Sequence, residues 1–436
     1  MSAAIIVGLT PFWLSSPLSI GQFSLAFTLP FILAAWAYSK PAPRYALASA
    51  LAGTAGKGLW IESLCIGIAL LFGWASMLVS PEPERAFRVI LPMTYGICAL
   101  FILTRLPQLS ARRYVYALMF AGVGVTAAGL MMAQAAPTRD WVMLGYRFKG
   151  FFENANQLAL AIVAFAPIML ALILNARTAL VKALCAGGLA VFLYAIILSG
   201  TKTGLAIALA SGCALCLYHA GRTGSLGRAL FSLGLVLALI AISIPLVIAI
   251  LSWASPIAFE KINAIFAGGV WDYQSIRSRN ILWEESVRIG ISSPLIGEGA
   301  GARILGRSHS HNMIIDYFRG MGVFGMASAA VLLIATAART VAYFSSTWRK
   351  GRQDRALDTM VMGFYLGALG YLLGNQISDS FSPSTAFAFW MVYICAYLSS
   401  QHQIARSRPP RPKSAARWSS AAIQPKPSWS TPRTAR

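Results

Sequence analysis

The run QLALAIVAFAPIMLALIL, residues 157–174, contains eighteen residues and no charged side chain. At about 1.5 Å of rise per residue, such a run in α-helical form comes close to spanning a hydrocarbon core about 30 Å thick. It is read as a membrane span. Working outward, similar runs are expected to cross at 5–20, 22–38, 61–78, 89–106, 114–132, 181–198, 204–217, 230–251, 323–344, 360–373 and 385–398. The shorter ones reach spanning length only with their flanks, and Pro11 and Pro17 interrupt the first. The expected fold is an all-α polytopic membrane protein of about twelve transmembrane helices, because a helix satisfies its own backbone where water is excluded.

Composition agrees with this reading. The 436 residues are 57% hydrophobic and 11% charged, with a mean hydropathy of +0.64; a soluble domain usually carries about 25% charged residues. All six cysteines, Cys65, Cys98, Cys185, Cys213, Cys216 and Cys395, sit in apolar runs. Cys213 and Cys216 are read as packing residues of a span, since no further Cys or His pairs with them in sequence. The N-terminus lacks the charged region and cleavage site of a secretory signal, so its apolar run is expected to be retained.

The formal charge of +22 is distributed as membrane flanks rather than as a nucleic-acid surface, and no nucleic-acid partner is expected. Eight basic residues follow Gln401 with no acid among them. Others cluster in alternate connections: Lys40, Arg44 and Lys57; Arg105, Arg112 and Arg113; Arg177 and Lys182; Arg222 and Arg228; and Arg339 with the bases of 349–355. The positive-inside rule assigns this set and both termini to the cytoplasm. The connections 81–88, 135–156, 200–203, 255–312 and 376–383 then lie outside. Segment 45–58 is apolar enough to resemble another span, but Lys57 and its small residues favour a surface or re-entrant stretch. The chain divides into 1–254 (nine spans with short loops), 255–312 (a large outer loop), 313–400 (three spans) and 401–436, a basic cytoplasmic tail whose Pro, Ser and Arg content predicts disorder.

Polar residues are costly near hydrocarbon and tend to mark sites, so three outer places stand out. Residues 150–157, GFFENANQ, lead into a span. Asn154 or Asn156 suits a helix N-cap, while two Asn, a Gln and a Glu together exceed what a cap requires and could line a polar sugar path. Residues 199–204, SGTKTG, put Lys202 at a helix start, where an ammonium and free N–H groups suit a phosphate; interfacial snorkelling is the plainer role. The full phosphate-loop spacing is absent. The loop 255–312 carries six bases, five acids and an expected amphipathic helix over 272–289 with Arg277, Arg279, Glu284, Glu285 and Arg288 among Ile276, Ile281, Leu282, Val287 and Ile289. The run 293–301, SPLIGEGAG, follows, and its glycines could let backbone approach a ligand closely. The loop ends in SHSHN, residues 308–312. His309 and His311 offer two ligands where a metal wants three or four, so no metal is expected. A helix is expected from Asn312, with Asp316 one turn in at the favourable end.

Four patterns recur together: His311-Asn312, nine residues, Gly322, two residues, Gly325; the two closely spaced Asn of Gly150–Leu158; Arg279 followed by Trp283; and Pro294–Gly301. On these residues the chain resembles the bacterial O-antigen ligase and polymerase superfamily. Ala155 stands where that family commonly has Pro. Lys202 stands where it has an arginine, keeping the charge but not the bidentate fork. The resemblance covers about residues 151–381 and implies a multi-pass protein of the bacterial inner membrane with a periplasmic loop. It implies a glycosyltransferase that takes a glycan from undecaprenyl diphosphate. The acceptor would be a sugar hydroxyl of lipid A-core in a ligase, or the growing glycan in an O-antigen or exopolysaccharide polymerase. Membrane lipids and polysaccharide export machinery are the other implied partners, with no cofactor or metal. Lys202 and Arg279 would hold the diphosphate and His311 would take the acceptor proton. Arg288, Asn154, Asn156, Glu298, Asn312 and Asp316 would bind substrate, with Asp316 and Glu298 as alternative bases. A polytopic transporter is the other class, although no paired broken spans in two halves support it.

Overall fold

The computed structural model describes residues 56–87, 89–90, 108–135, 139–152, 154–222, 274–307, 309–348, 355–377 and 392–393, with positions 234, 249 and 252. The expected spans 5–20 and 22–38, nearly all of 89–106, 230–251 and 385–398, the loop portion 255–273 and the basic tail lie outside them. The described elements are α1 (Gly56–Met77), α2 (Gln108–Gln134), α3 (Arg139–Val142), β1 (Met143–Leu144), β2 (Arg147–Phe148), α4 (Ala155–Asn175), α5 (Ala179–Ser199), α6 (Lys202–Gly221), α7 (Gln274–Ser292), α8 (Met313–Trp348) and α9 (Arg355–Gly374). The chain is mostly helical. Among the described residues, Ala155–Asn175, Ala179–Ser199, Lys202–Gly221, Met313–Trp348 and Ala356–Gly374 are long and apolar enough to cross a membrane. One departure from the all-helical expectation is the antiparallel β1–β2 hairpin, which pairs Met143 with Phe148 and Leu144 with Arg147.

Helix α4 is the centre of the bundle. Its apolar residues run all round the helix, and nearly every one from Ala155 to Leu172 is buried. A helix without a polar face must be enclosed by other helices or lipid. It starts where Asn154, in extended conformation, accepts the Asn156 and Gln157 N–H groups on its side chain, both at 2.9 Å. This is the N-cap that the sequence allowed.

Helix α9 lies antiparallel on α4, and glycine sets the distance. A Cβ at Gly367 would stand 2.2 Å from the Ala164 carbonyl oxygen, one at Gly363 3.0 Å from that of Pro167, and one at Gly374 2.3 Å from Leu160 Cδ2. Apolar helices gain little from leaving lipid for each other, so close van der Waals contact through small residues holds such a pair. At the far end Asn175 Nδ2 donates to the Ala356 carbonyl at 2.9 Å, which completes the register.

That far end carries a buried polar clamp. Arg222, after α6, donates to the Asp358 carboxylate at the start of α9 and to the Thr347 carbonyl near the end of α8. Tyr343 donates to the other Asp358 oxygen at 2.9 Å, and Tyr218 donates to Thr347 Oγ1 at 2.7 Å. Three helix ends are thereby fastened together.

Helix α8 is 36 residues long and breaks at Gly322 (φ 68°, ψ −165°). It joins the helix expected from Asn312 to the span expected from 323, so that a more polar neck, 313–321, precedes the break. Helix α1 starts at Gly56, which puts Lys57 in its first turn rather than in the expected surface stretch.

Candidate functional site

The described parts of the connections 81–88, 135–156, 200–203 and 293–312 and the end of α9 lie at one end of the bundle. Gly129 of α2 lies against Phe148 of the hairpin, and Leu160 of α4 against Gly374 of α9. The head of α8 is tied to the end of α9, with Met313 N–H donating to the Asn375 carbonyl at 3.0 Å and Asn312 Nδ2 to that of Gln376 at 3.2 Å. The described parts of the connections that share a side in the sequence reading are therefore neighbours in space.

The histidine loop is held from several directions. Asn312 caps α8, its Oδ1 accepting the Ile315 N–H at 3.1 Å. His311 precedes it with φ 66°, a conformation uncommon for a residue with a Cβ, though His is enriched there. The peptide of Ser310, fully buried, is gripped on both sides: its N–H donates to Asp316 Oδ1 at 2.8 Å, and its carbonyl accepts the Trp283 indole N–H at 2.9 Å. The His309 and His311 rings meet edge to face, with centroids 4.6 Å apart and planes at 89°.

The glycine run packs its backbone against α8. The break at Gly322 frees helix groups, and the run satisfies them. Glu298 N–H donates to the Arg319 carbonyl at 2.8 Å, Gly299 N–H to that of Gly320 at 3.2 Å, and Val323 N–H to that of Pro294 at 2.7 Å. Gly297 and Gly322 both have positive φ, and a Cβ on either would fall within 2.6 Å of the opposing backbone. On its other side the run meets α1, Ala300 N–H donating to Ser76 Oγ at 3.1 Å. The nine residues between Asn312 and Gly322 thus measure the neck from cap to break.

The expected site residues divide by environment. Asn154 is a cap. Asn156 accepts from Arg147 Nη2 at 2.8 Å. Asn312 caps α8 and binds α9. Asp316 lies in the neck with its side chain 8% exposed, 3.5 Å from Arg319, which itself donates to the Ala302 carbonyl at 2.6 Å. Asp316 Oδ2 and Glu298 Oε2 are buried without a hydrogen-bond partner in the structure, so these two carboxylates keep acceptor capacity. Arg288 is exposed on α7 and forked onto Glu285 at 2.8 and 2.5 Å. Those hydrogen bonds hold the Glu285 carboxyl below the ordinary carboxylate range. Arg279 is half-buried one turn before Trp283 on the stripe of α7 that continues through buried Ser286 and through Gly290, which packs on Phe318 of α8. Lys202 is exposed at the first position of α6. Its N-cap, Thr201, makes no side-chain cap bond to the helix.

The residue that sequence reasoning missed is Arg147. Its Nε donates to the Ser199 carbonyl at 2.7 Å, and its Nη2 to Asn156 Oδ1 and to Thr201 Oγ1 at 3.0 Å. One guanidinium thereby joins the hairpin, the head of α4 and the α5–α6 turn that carries Lys202. The partners lie up to 54 residues away in sequence, so no local pattern announces them. Arg147→Lys is expected to lower stability by about 2–4 kcal/mol, because an ammonium cannot serve three acceptors from a fixed fork. Thermal unfolding of the detergent-solubilised variant measures this, and an unchanged midpoint would contradict it.

Among the described residues, no group of three or more His, Cys, Asp or Glu is arranged to hold a metal. No protein-family model matches the chain, and no curated protein matches it significantly.

Proposed function

We propose that the chain is a membrane glycosyltransferase of the O-antigen ligase type, which transfers a glycan from undecaprenyl diphosphate to a sugar hydroxyl of lipid A-core on the outer side of a bacterial inner membrane. The observation that carries this reading is the placement, at the same end of an apolar bundle, of an exposed lysine at a helix start whose N-cap Thr201 makes no side-chain cap bond and of a histidine loop gripped by Asp316 and Trp283. Such a bundle end suits a donor whose lipid stays in the membrane while its diphosphate and sugar lie outside.

In the proposed reaction His311 takes the proton of the acceptor hydroxyl as its oxygen attacks the anomeric carbon. A neutral imidazole is among the few side chains able to do so near neutral pH. The bond from the anomeric carbon to the diphosphate oxygen breaks with its electron pair, and lipid diphosphate departs. Lys202, the neighbouring N–H groups of α6 and Arg279 stabilise the charge gained by the leaving group. Arg288 is engaged by Glu285 and contributes only if substrate displaces that carboxylate. Asn154, Asn156 and Asn312 act by fixing the helix heads.

His311→Ala is expected to lower transfer by about 10²–10⁴-fold at normal protein level. Lys202→Arg should keep function and Lys202→Ala lose it. The measurement is the banding of lipopolysaccharide and the pool of lipid-linked polymer in cells carrying each variant in place of the native gene. Loss of long bands with accumulation of lipid-linked polymer supports the ligase. Single-repeat bands assign the acceptor as the growing chain, and native banding with His311→Ala defeats the reading.

A further inference from the structure

We infer that His309 is a positioning residue for His311: its ring, set edge to face against the His311 imidazole, fixes the direction in which that imidazole presents its reactive nitrogen. The inference rests on the reading of His311 as the proton acceptor, but its geometry stands apart from that reading. Two residues apart on a free loop, these rings would turn independently. Here the peptide between them cannot turn, because Ser310 donates to Asp316 at 2.8 Å and accepts from Trp283 at 2.9 Å. The following residue is committed too, since Asn312 caps α8 and donates to Gln376.

With the backbone held on both sides, the direction of the His311 ring is set by its side-chain torsions. The His309 ring stands against it at a centroid distance of 4.6 Å and an angle of 89°, the arrangement in which the electropositive edge of one aromatic ring meets the electron-rich face of another. His311 holds its φ of 66° beside this ring contact. An imidazole that must meet a hydroxyl at hydrogen-bond distance gains from such fixing, because misdirection by an ångström or a few tens of degrees removes much of the rate. The loop therefore uses one histidine as reagent and the other as its wall.

The test compares His309→Ala, which removes the wall, with His309→Phe, which keeps a flat ring and removes both nitrogens. Two readouts are taken on the full chain in detergent: glycan transfer, and the rate at which diethyl pyrocarbonate acylates His311, followed by mass spectrometry. His309→Ala is expected to lower kcat by about tenfold with KM within about twofold, and to raise His311 acylation by about threefold or more, since a ring that has lost this wall is less well directed and more accessible. His309→Phe should return both values close to native. The inference is overturned if His309→Ala leaves His311 acylation unchanged, or if His309→Phe behaves like His309→Ala, which would make a nitrogen rather than the ring's shape the working feature. Acylation needs no glycan transfer. A native chain that transfers nothing therefore defeats the proposed function while the acylation result still decides the role of His309.

Discussion

Gly322→Ala is expected to separate the glycine run from the neck of α8 and to cost on the order of 2–5 kcal/mol of stability. Two independent penalties act at this position. The backbone there has φ 68° and ψ −165°, a region closed in practice to residues with a Cβ, and the added methyl would fall 2.3 Å from the Leu295 carbonyl oxygen. Relaxation requires the run 294–299 to withdraw, which strips the Arg319 and Gly320 carbonyls and the Val323 N–H of their partners. Gly306→Ala is the control, since Gly306 also has positive φ (75°) but an added methyl there would meet nothing within 4 Å; it should lose only about 1 kcal/mol. Hydrogen exchange at 295–299 and the thermal midpoint in detergent measure both variants. Equal effects from the two would show that close packing against α8 contributes nothing.

Asp358→Ala should cost about 3–5 kcal/mol, because it removes the carboxylate from a buried arginine. The Arg222 and Asp358 side chains are 3% and 1% exposed, and Tyr343 loses its acceptor in the same step. The charge, rather than the packing, is the source of the loss. A double variant, Arg222→Met with Asp358→Leu, should recover most of the stability, since an apolar pair of similar volume needs no compensation in a dry interior. Thermal unfolding of the two variants beside the native chain decides the point. A double variant no better than the single one would mean that the clamp contributes through its geometry, joining α6, α8 and α9, and not through charge compensation.

Among the described residues the helices were largely legible from sequence, for a reason specific to apolar bundles. Run length and composition carry the information, and both are local. The expected 157–174 and 181–198 correspond to Ala155–Asn175 and Ala179–Ser199, and the loop helix expected over 272–289 is Gln274–Ser292. The helix expected from Asn312 and the span expected from 323 form one element, α8, which starts at Met313. Its neck carries Asp316 and Arg319, where the hydropathy of the span ends. Those charges pair with each other and with backbone, so the helix continues through them.

The candidate site was legible in its residue types and only partly in their contacts. His311, Arg279 and Lys202 were picked out by the family resemblance, and spacing offered Asn154 or Asn156 as a cap. Spacing could not distinguish glycines that admit a ligand from glycines that admit a helix, because both need backbone without a Cβ. Nor could it find Arg147, whose acceptors belong to two other connections, or the grip of Asp316 and Trp283 on Ser310. By itself, then, the order of residues determines which segments are apolar helices, where their polar ends lie and which titratable groups those ends carry, because hydrophobicity and capping act within a few residues. Tertiary structure alone decides which ends meet, which polar groups are spent on holding them and how the two histidine rings face, because those outcomes depend on hydrogen bonds and steric fit between segments that the chain keeps far apart.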